Sequence, residues 1–148
     1  MPYKSIVAKG EVNHFEASAD AALSPGHLLE VTATGVTKHS VAAGTASPAF
    51  AREDDIIGDA ATVQYAAGDN VLYIVPNRGS EIYARVAAGA AAIAIGDYVE
   101  SAGDGTVQVQ GASASTSQAQ RQSVVGIALE AVDNSGGATE VFIKLRAL

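Results

Sequence analysis

The sequence predicts an all-β domain, a compact antiparallel β-barrel or sandwich. Three observations carry that expectation. Short apolar runs of strand length recur at turn-to-turn spacings of about ten residues, the pattern of sandwiches and barrels. Gly, Pro, Asn and Asp separate the runs and supply the dihedrals and local side-chain bonds that turns need. No stretch shows the sustained period of a long amphipathic helix. At 148 residues the chain suits a single domain with a sizeable core.

Taken in order, Ser5–Val12 is apolar but interrupted by Gly10. His27–Thr34 follows the turn Ser24-Pro25-Gly26, and Gly35 leads into a weakly alternating run, Val36–Val41. Pro48–Asp54 reads as a short strand. Asn70–Asn77 is the clearest one: Val71, Tyr73 and Val75 face one way, Leu72 and Ile74 the other, so both faces are expected to be covered. The turn Pro76–Gly79 then suggests a hairpin with Ser80–Ala87. Ala87–Asp97 mixes helix-favouring alanine with glycine and isoleucine, and reads as a loop or short helical turn that becomes extended at Ile93. Tyr98–Ala102 and Thr106–Gln110 flank Gly103-Asp104-Gly105. Residues 111–122 are small and polar and are expected to form an exposed loop. Ser123–Val132 and Thr139–Leu148 are expected to pair as a final hairpin. No internal repeat or domain linker stands out.

Composition narrows the function. Nearly half the residues are hydrophobic, but many are alanine and only 5% are aromatic, so burial per residue is modest and a partner surface would help. The chain has no cysteine, which removes disulfides, thiolate metal sites and thiol nucleophiles. The net charge of −7 disfavours nucleic acid as a partner. No apolar run nears the roughly 18 residues of a membrane span, and the first residues carry no signal-peptide core, so synthesis in a cytoplasm is expected.

The search for chemistry finds little. Gly103-Asp104-Gly105 lacks the third glycine of a dinucleotide fingerprint, no P-loop lysine follows, and the acid spacing fails the calcium-loop pattern. A hairpin turn is the simpler account, and Gly58-Asp59, Gly68-Asp69 and Gly96-Asp97 repeat the punctuation. His14, His27 and His39 share no ligand spacing and are expected at the surface. Arg52, Glu53, Asp54 and Asp55 are the densest charge cluster. Two close carboxylates could act as acid and base or hold a hard cation. A solvated strand end, or subunit-interface ion pairs through Arg52, Glu53 and Asp54, suits an arginine so close to the acids better. No catalytic residue, metal site or cofactor is assigned, and the chain is expected not to be an enzyme.

Residues 12–39, 51–86, 95–108 and 124–145, in that order, resemble the small capsid decoration, or cement, proteins of tailed bacteriophages. Residues 111–122 have no counterpart in the resemblance. It implies a homotrimer on the outer surface of a virion head, bound to the major capsid protein lattice at three-fold or quasi-three-fold positions, which stabilises the expanded shell against internal DNA pressure. It also implies a β-tulip or β-clip type of barrel with an extended N-terminal arm. On that basis residues 1–12 form the arm and 13–148 a single β domain, with Pro2, Tyr3, Lys4, Ser5, Ile6 and Val7 as capsid-binding residues. Strand addition to a capsid sheet would give the arm its affinity, and trimerisation would multiply it. An ordinary edge strand or a disordered tail is the alternative for this stretch. A different functional class, a virion-surface module that adheres to host glycans, is disfavoured by the absence of Trp. A hydrolase using Glu53, Asp54 and Asp55 is the third class.

Overall fold

A computed structural model of the chain describes residues 5–111 and 123–148. They are organised as eleven strands: β1 (Val7–Lys9), β2 (Val12–Ser18), β3 (Leu29–Val31), β4 (Val36–Lys38), β5 (Phe50–Ala51), β6 (Asn70–Pro76), β7 (Glu81–Val86), β8 (Tyr98–Ser101), β9 (Val107–Val109), β10 (Val124–Ala128) and β11 (Val141–Ala147). Every ladder between them is antiparallel. One sheet has six strands in the order β1-β7-β11-β10-β8-β9, a second three in the order β2-β6-β5, and a third pairs β3 with β4. The fold is therefore an all-β, sandwich-like arrangement of open sheets, not a closed barrel.

Strand β6 explains how the layers join. Its Ile74 is fully buried in the larger core, with Phe50 of β5, Ile82 of β7 and Ile143 of β11. Its Val71, Tyr73 and Val75 point the other way, into a second core built on Leu23, Leu29, Val36 and Tyr65. Alternate side chains of a strand point to opposite faces. This one strand thus serves two cores, as its unbroken apolar run requires.

The hairpins β8–β9 and β10–β11 form as expected. The expected hairpin of β6 with β7 does not. β6 pairs with β2 and β5, whereas β7 pairs with β1 and β11 in the other sheet. The turn at Pro76–Gly79 is a crossing between layers. It arises because β6 is apolar on both faces and β7 on alternate residues, and each is buried more fully by a separate sheet than by pairing with its neighbour.

β2 was not expected from the sequence. Most of its residues are exposed, and only its ladder with β6, from Val12↔Pro76 to Ser18↔Asn70, reveals it as a strand. The N-terminal stretch also needs correction. Ile6 is fully buried in the larger core, and Val7, packed against that core, pairs with Ile82. Both belong to the edge of the six-stranded sheet, not to an arm that stands off the domain, because their apolar side chains find a core beside β7. β1 lies wholly within residues 1–12, and β2, which starts at Val12, crosses the arm boundary. Pro2, Tyr3 and Lys4, and the proposed loop beyond residue 111, lie outside the described residues.

Candidate interaction surface

A three-bond turn recurs in the loops and sets much of the surface. In Ser24–His27, Ala66–Asp69 and Ala94–Asp97 the last N–H returns to the first carbonyl at 3.1, 3.1 and 3.2 Å. The first N–H donates to the last side chain, His27 Nδ1 at 2.9 Å, Asp69 Oδ2 at 2.8 Å and Asp97 Oδ2 at 2.8 Å. The third residue is glycine at φ 89°, 88° and 88°, as a type II turn demands. Its N–H reaches another segment, at Ala51, Ala19 and Ala128 respectively. The Gly-Asp pairs at 68–69 and 96–97 are thus structural turns, and His27 takes the place of the aspartate in the first.

That substitution corrects the expectation for the histidines. His14 is exposed, but His27 and His39 are buried. His27 Nδ1 accepts from Ser24 N–H, so Nε2 carries the proton of the neutral ring and faces both Glu140 oxygens at 2.9 and 3.0 Å. The His27 hydrogen bond, against the opposing effect of burial, holds the Glu140 carboxyl below its usual range, with His27 and Arg85 adding attraction. His39 lies 3.1 Å from the Thr45 carbonyl through Nε2 and 2.7 Å from Ser101 Oγ through Nδ1. A carbonyl only accepts, so Nε2 is the donor there. With both ring nitrogens engaged, His39 ties the Thr45 loop to β8 and His27 ties its own turn to the loop at Glu140.

Gly103-Asp104-Gly105 is the β8–β9 turn. Both glycines have positive φ, and Asp104 Oδ1 accepts from the Thr106 N–H at 3.0 Å and from its hydroxyl. The group that sequence reasoning missed nearby is Glu100. Its carboxylate is fully buried and accepts from Ser123 Oγ at 2.7 Å and Gly111 N–H at 3.1 Å. The only signal was an acid in the middle of an apolar run.

The structure brings the N-terminal residues and the acidic cluster together. Ser5, Val7, Glu11, His14, Arg52 and Asp55 line an open cleft of about 500 Å³. Glu53, buried beneath it, accepts the Ile6 N–H at 2.9 Å. Arg52 pairs with Asp55, not with Glu53 or Asp54, and donates through Nη1 to His14 Nδ1 at 3.1 Å. Tyr65 donates to the Arg52 carbonyl at 2.8 Å. Burial pushes its hydroxyl up to about 12, with Asp54 and Glu53 adding to the rise and the Leu72 N–H and Arg52 opposing it. Asp54 Oδ1 is buried with no hydrogen-bond partner among the described residues. No three His, Asp or Glu side chains among the described residues converge to hold a metal ion.

Two larger surface features flank the cleft. Beyond Asp55 the chain turns at Ile56 and Ile57, which are 80% and 71% exposed. Ile56 shares a shallow groove with Phe15, Glu16 and Leu72, and Ile57 shares another with Val63, Asp54, Asp59 and Asp69. On the opposite layer, the second face of β7 and β11 carries three cross-strand pairs, and its Arg85–Phe142 end lies under the Pro25–Gly26 loop, where Arg85 donates to the Pro25 carbonyl at 2.6 Å and to the Ala61 carbonyl at 3.2 Å. The Arg85 guanidinium lies 4.6 Å from the Phe142 ring centroid, the Lys144 ammonium 5.6 Å from that of Tyr83, and Arg146 3.9 Å from Glu81.

No protein-family model and no curated protein matches the chain. Among solved structures, it is similar to the crystal structure of the head fiber gp8.5 N base in bacteriophage phi29. That match covers 93% of this chain and 95% of the other at 16% identity, with a TM-score of 0.55. At this identity the likeness is one of fold, and it spans nearly the whole of both chains.

Proposed function

We propose that the protein is a structural component of a phage head surface: a capsid decoration protein that binds the outer shell as a homotrimer, stabilises it after expansion and performs no catalysis. The observation that carries this reading is the shared fold with the base of a phage head fiber across almost the full length of both chains. It agrees with the independent resemblance of the ordered strand-and-turn segments to phage decoration proteins. The surface is consistent with a binding role. Its ionisable groups at the N-terminal cleft are occupied in holding the fold, Glu53 on the Ile6 backbone and Arg52 between Asp55 and His14. β1 lies at the sheet edge, separated from Pro2–Lys4 by Ser5 and Ile6, so a capsid strand could add to it there. The acidic net charge keeps the free protein away from packaged DNA.

Co-sedimentation with purified shells tests the reading. The protein is expected to pellet with expanded heads and to stay in solution with unexpanded ones, and to raise the temperature at which expanded heads open. Equal binding to both shell forms, or no binding to either, overturns it. Hydrolysis of a phosphate, peptide or glycosidic substrate panel that is lost in a variant with Glu53, Asp54 and Asp55 all changed to the amides would restore the enzyme alternative.

A further inference from the structure

We infer that the acid-rimmed isoleucine turn at Ile56–Ile57 of one copy docks on the cationic, aromatic outer face of β7 and β11 of the next copy, in a head-to-tail contact. The inference deepens the homotrimer reading and rests on it. Two large aliphatic side chains at a loop tip, both more than two-thirds exposed, leave apolar surface in water that a partner would cover. The rim of that tip is acidic: Glu16, Asp54, Asp59 and Asp69 line its two grooves, and its one cation, Arg52, is paired with Asp55. The occupant must therefore be basic around an apolar centre.

The chain itself carries such a surface. On that face of the six-stranded sheet Lys144 and the exposed Arg146 stand beside the partly buried Tyr83, while Arg85 and Phe142 lie under the Pro25–Gly26 loop, with Arg85 held by the Pro25 and Ala61 carbonyls. Lys9 of β1 stands opposite Glu81 at the edge of the same face, and Ile127 of β10 stands opposite Arg146. The acids on that side are engaged, Glu81 near Arg146 and Glu130 on the Lys144 N–H at 2.8 Å. A contact of tip to tip or of face to face would set like charges against each other. Tip to face sets opposite charges together, buries both apolar centres, and leaves one copy with a free face and the other with a free tip. Such a heterologous contact closes into a ring when its rotation allows.

Size-exclusion chromatography with light scattering is the test, on the full chain. The wild type is expected at the mass of three chains, and I56D/I57D and K144E/R146E each at the mass of one, with unchanged circular dichroism. The isoleucines and Arg146 are exposed, so these changes leave the cores intact. Mixing the two variants decides the geometry. Each retains one sound half, so an equimolar mixture is expected to give a two-chain species and nothing larger. A wild-type monomer overturns the homotrimer reading and this contact with it. A wild-type trimer that both variants preserve overturns this contact alone. Monomeric variants that fail to pair on mixing overturn the head-to-tail arrangement, and trimeric variants that lose only shell binding place the tip against the shell.

Discussion

His27 and Glu140 couple one loop to another across the chain, and the coupling has a pH signature. The Glu140 carboxyl is held below its ordinary value of 4.5 by the His27 hydrogen bond, with Arg85 assisting and Asp104 opposing. A carboxyl whose folded value is lowered stabilises the fold above its unfolded value, and that contribution fades as the pH falls through the folded one. Urea titrations of the wild type and E140Q should therefore differ most near neutrality and converge as the pH falls below 4.5 and through the lowered folded value. A gap that does not change with pH would remove the ionic role from this pair. The recurrent turn makes a second, graded prediction. Alanine at Gly68 or Gly96 meets nothing within 4 Å and suffers only from its positive φ, a cost of about 1–2 kcal/mol. At Gly26 the added carbon would also sit 2.9 Å from the Phe142 ring, so G26A should lower the urea midpoint the most. Equal effects at the three sites would count against this ranking.

Among the elements, β1 decides whether the N-terminal stretch is part of the domain. Ile6 is fully buried and its N–H is held by buried Glu53, so Ile6→Ala should cost roughly 2–5 kcal/mol in equilibrium unfolding. A free arm would show no cost. Deleting Pro2–Lys4 tests the remainder of the sequence-based assignment by its effect on shell binding. β2 makes the complementary case: its side chains add little burial, and its ladder to β6 holds it. Phe50, in the two-residue β5, reaches the centre of the larger core, and Phe50→Ala should cost about 3–5 kcal/mol despite the brevity of its strand.

At the scale of the whole molecule, charge is unevenly placed. The turn beyond β5 is acidic and the outer face of β7 and β11 is basic, so association through them should weaken with salt. Raising sodium chloride from about 50 mM to about 500 mM shortens the screening length to a few Å and should move the proposed trimer toward monomer. Insensitivity to salt, measured by sedimentation velocity, would mean that the contact is apolar throughout. The sequence makes the all-β class legible because strand-length apolar runs and turn residues are local signals. The order of the sheets is not legible: Asn70–Pro76 and Glu81–Val86 look like a hairpin because the short turn between them is all that local chemistry reports.

The sequence by itself determined the fold class, most strand positions, the Gly-Asp turns and the acidic surface, since each follows from side-chain period, backbone preference or charge count. Tertiary structure alone decided that β6 and β7 part into separate sheets, that Ile6 and Val7 join a core, and that His27, His39 and Glu100 are buried. It also decided that Ile56–Ile57 stands exposed among acids while Lys144 and Arg146 crown the opposite layer. Those outcomes depend on which distant segments cover a side chain, and burial is a property of the neighbours a residue finds, not of the residue.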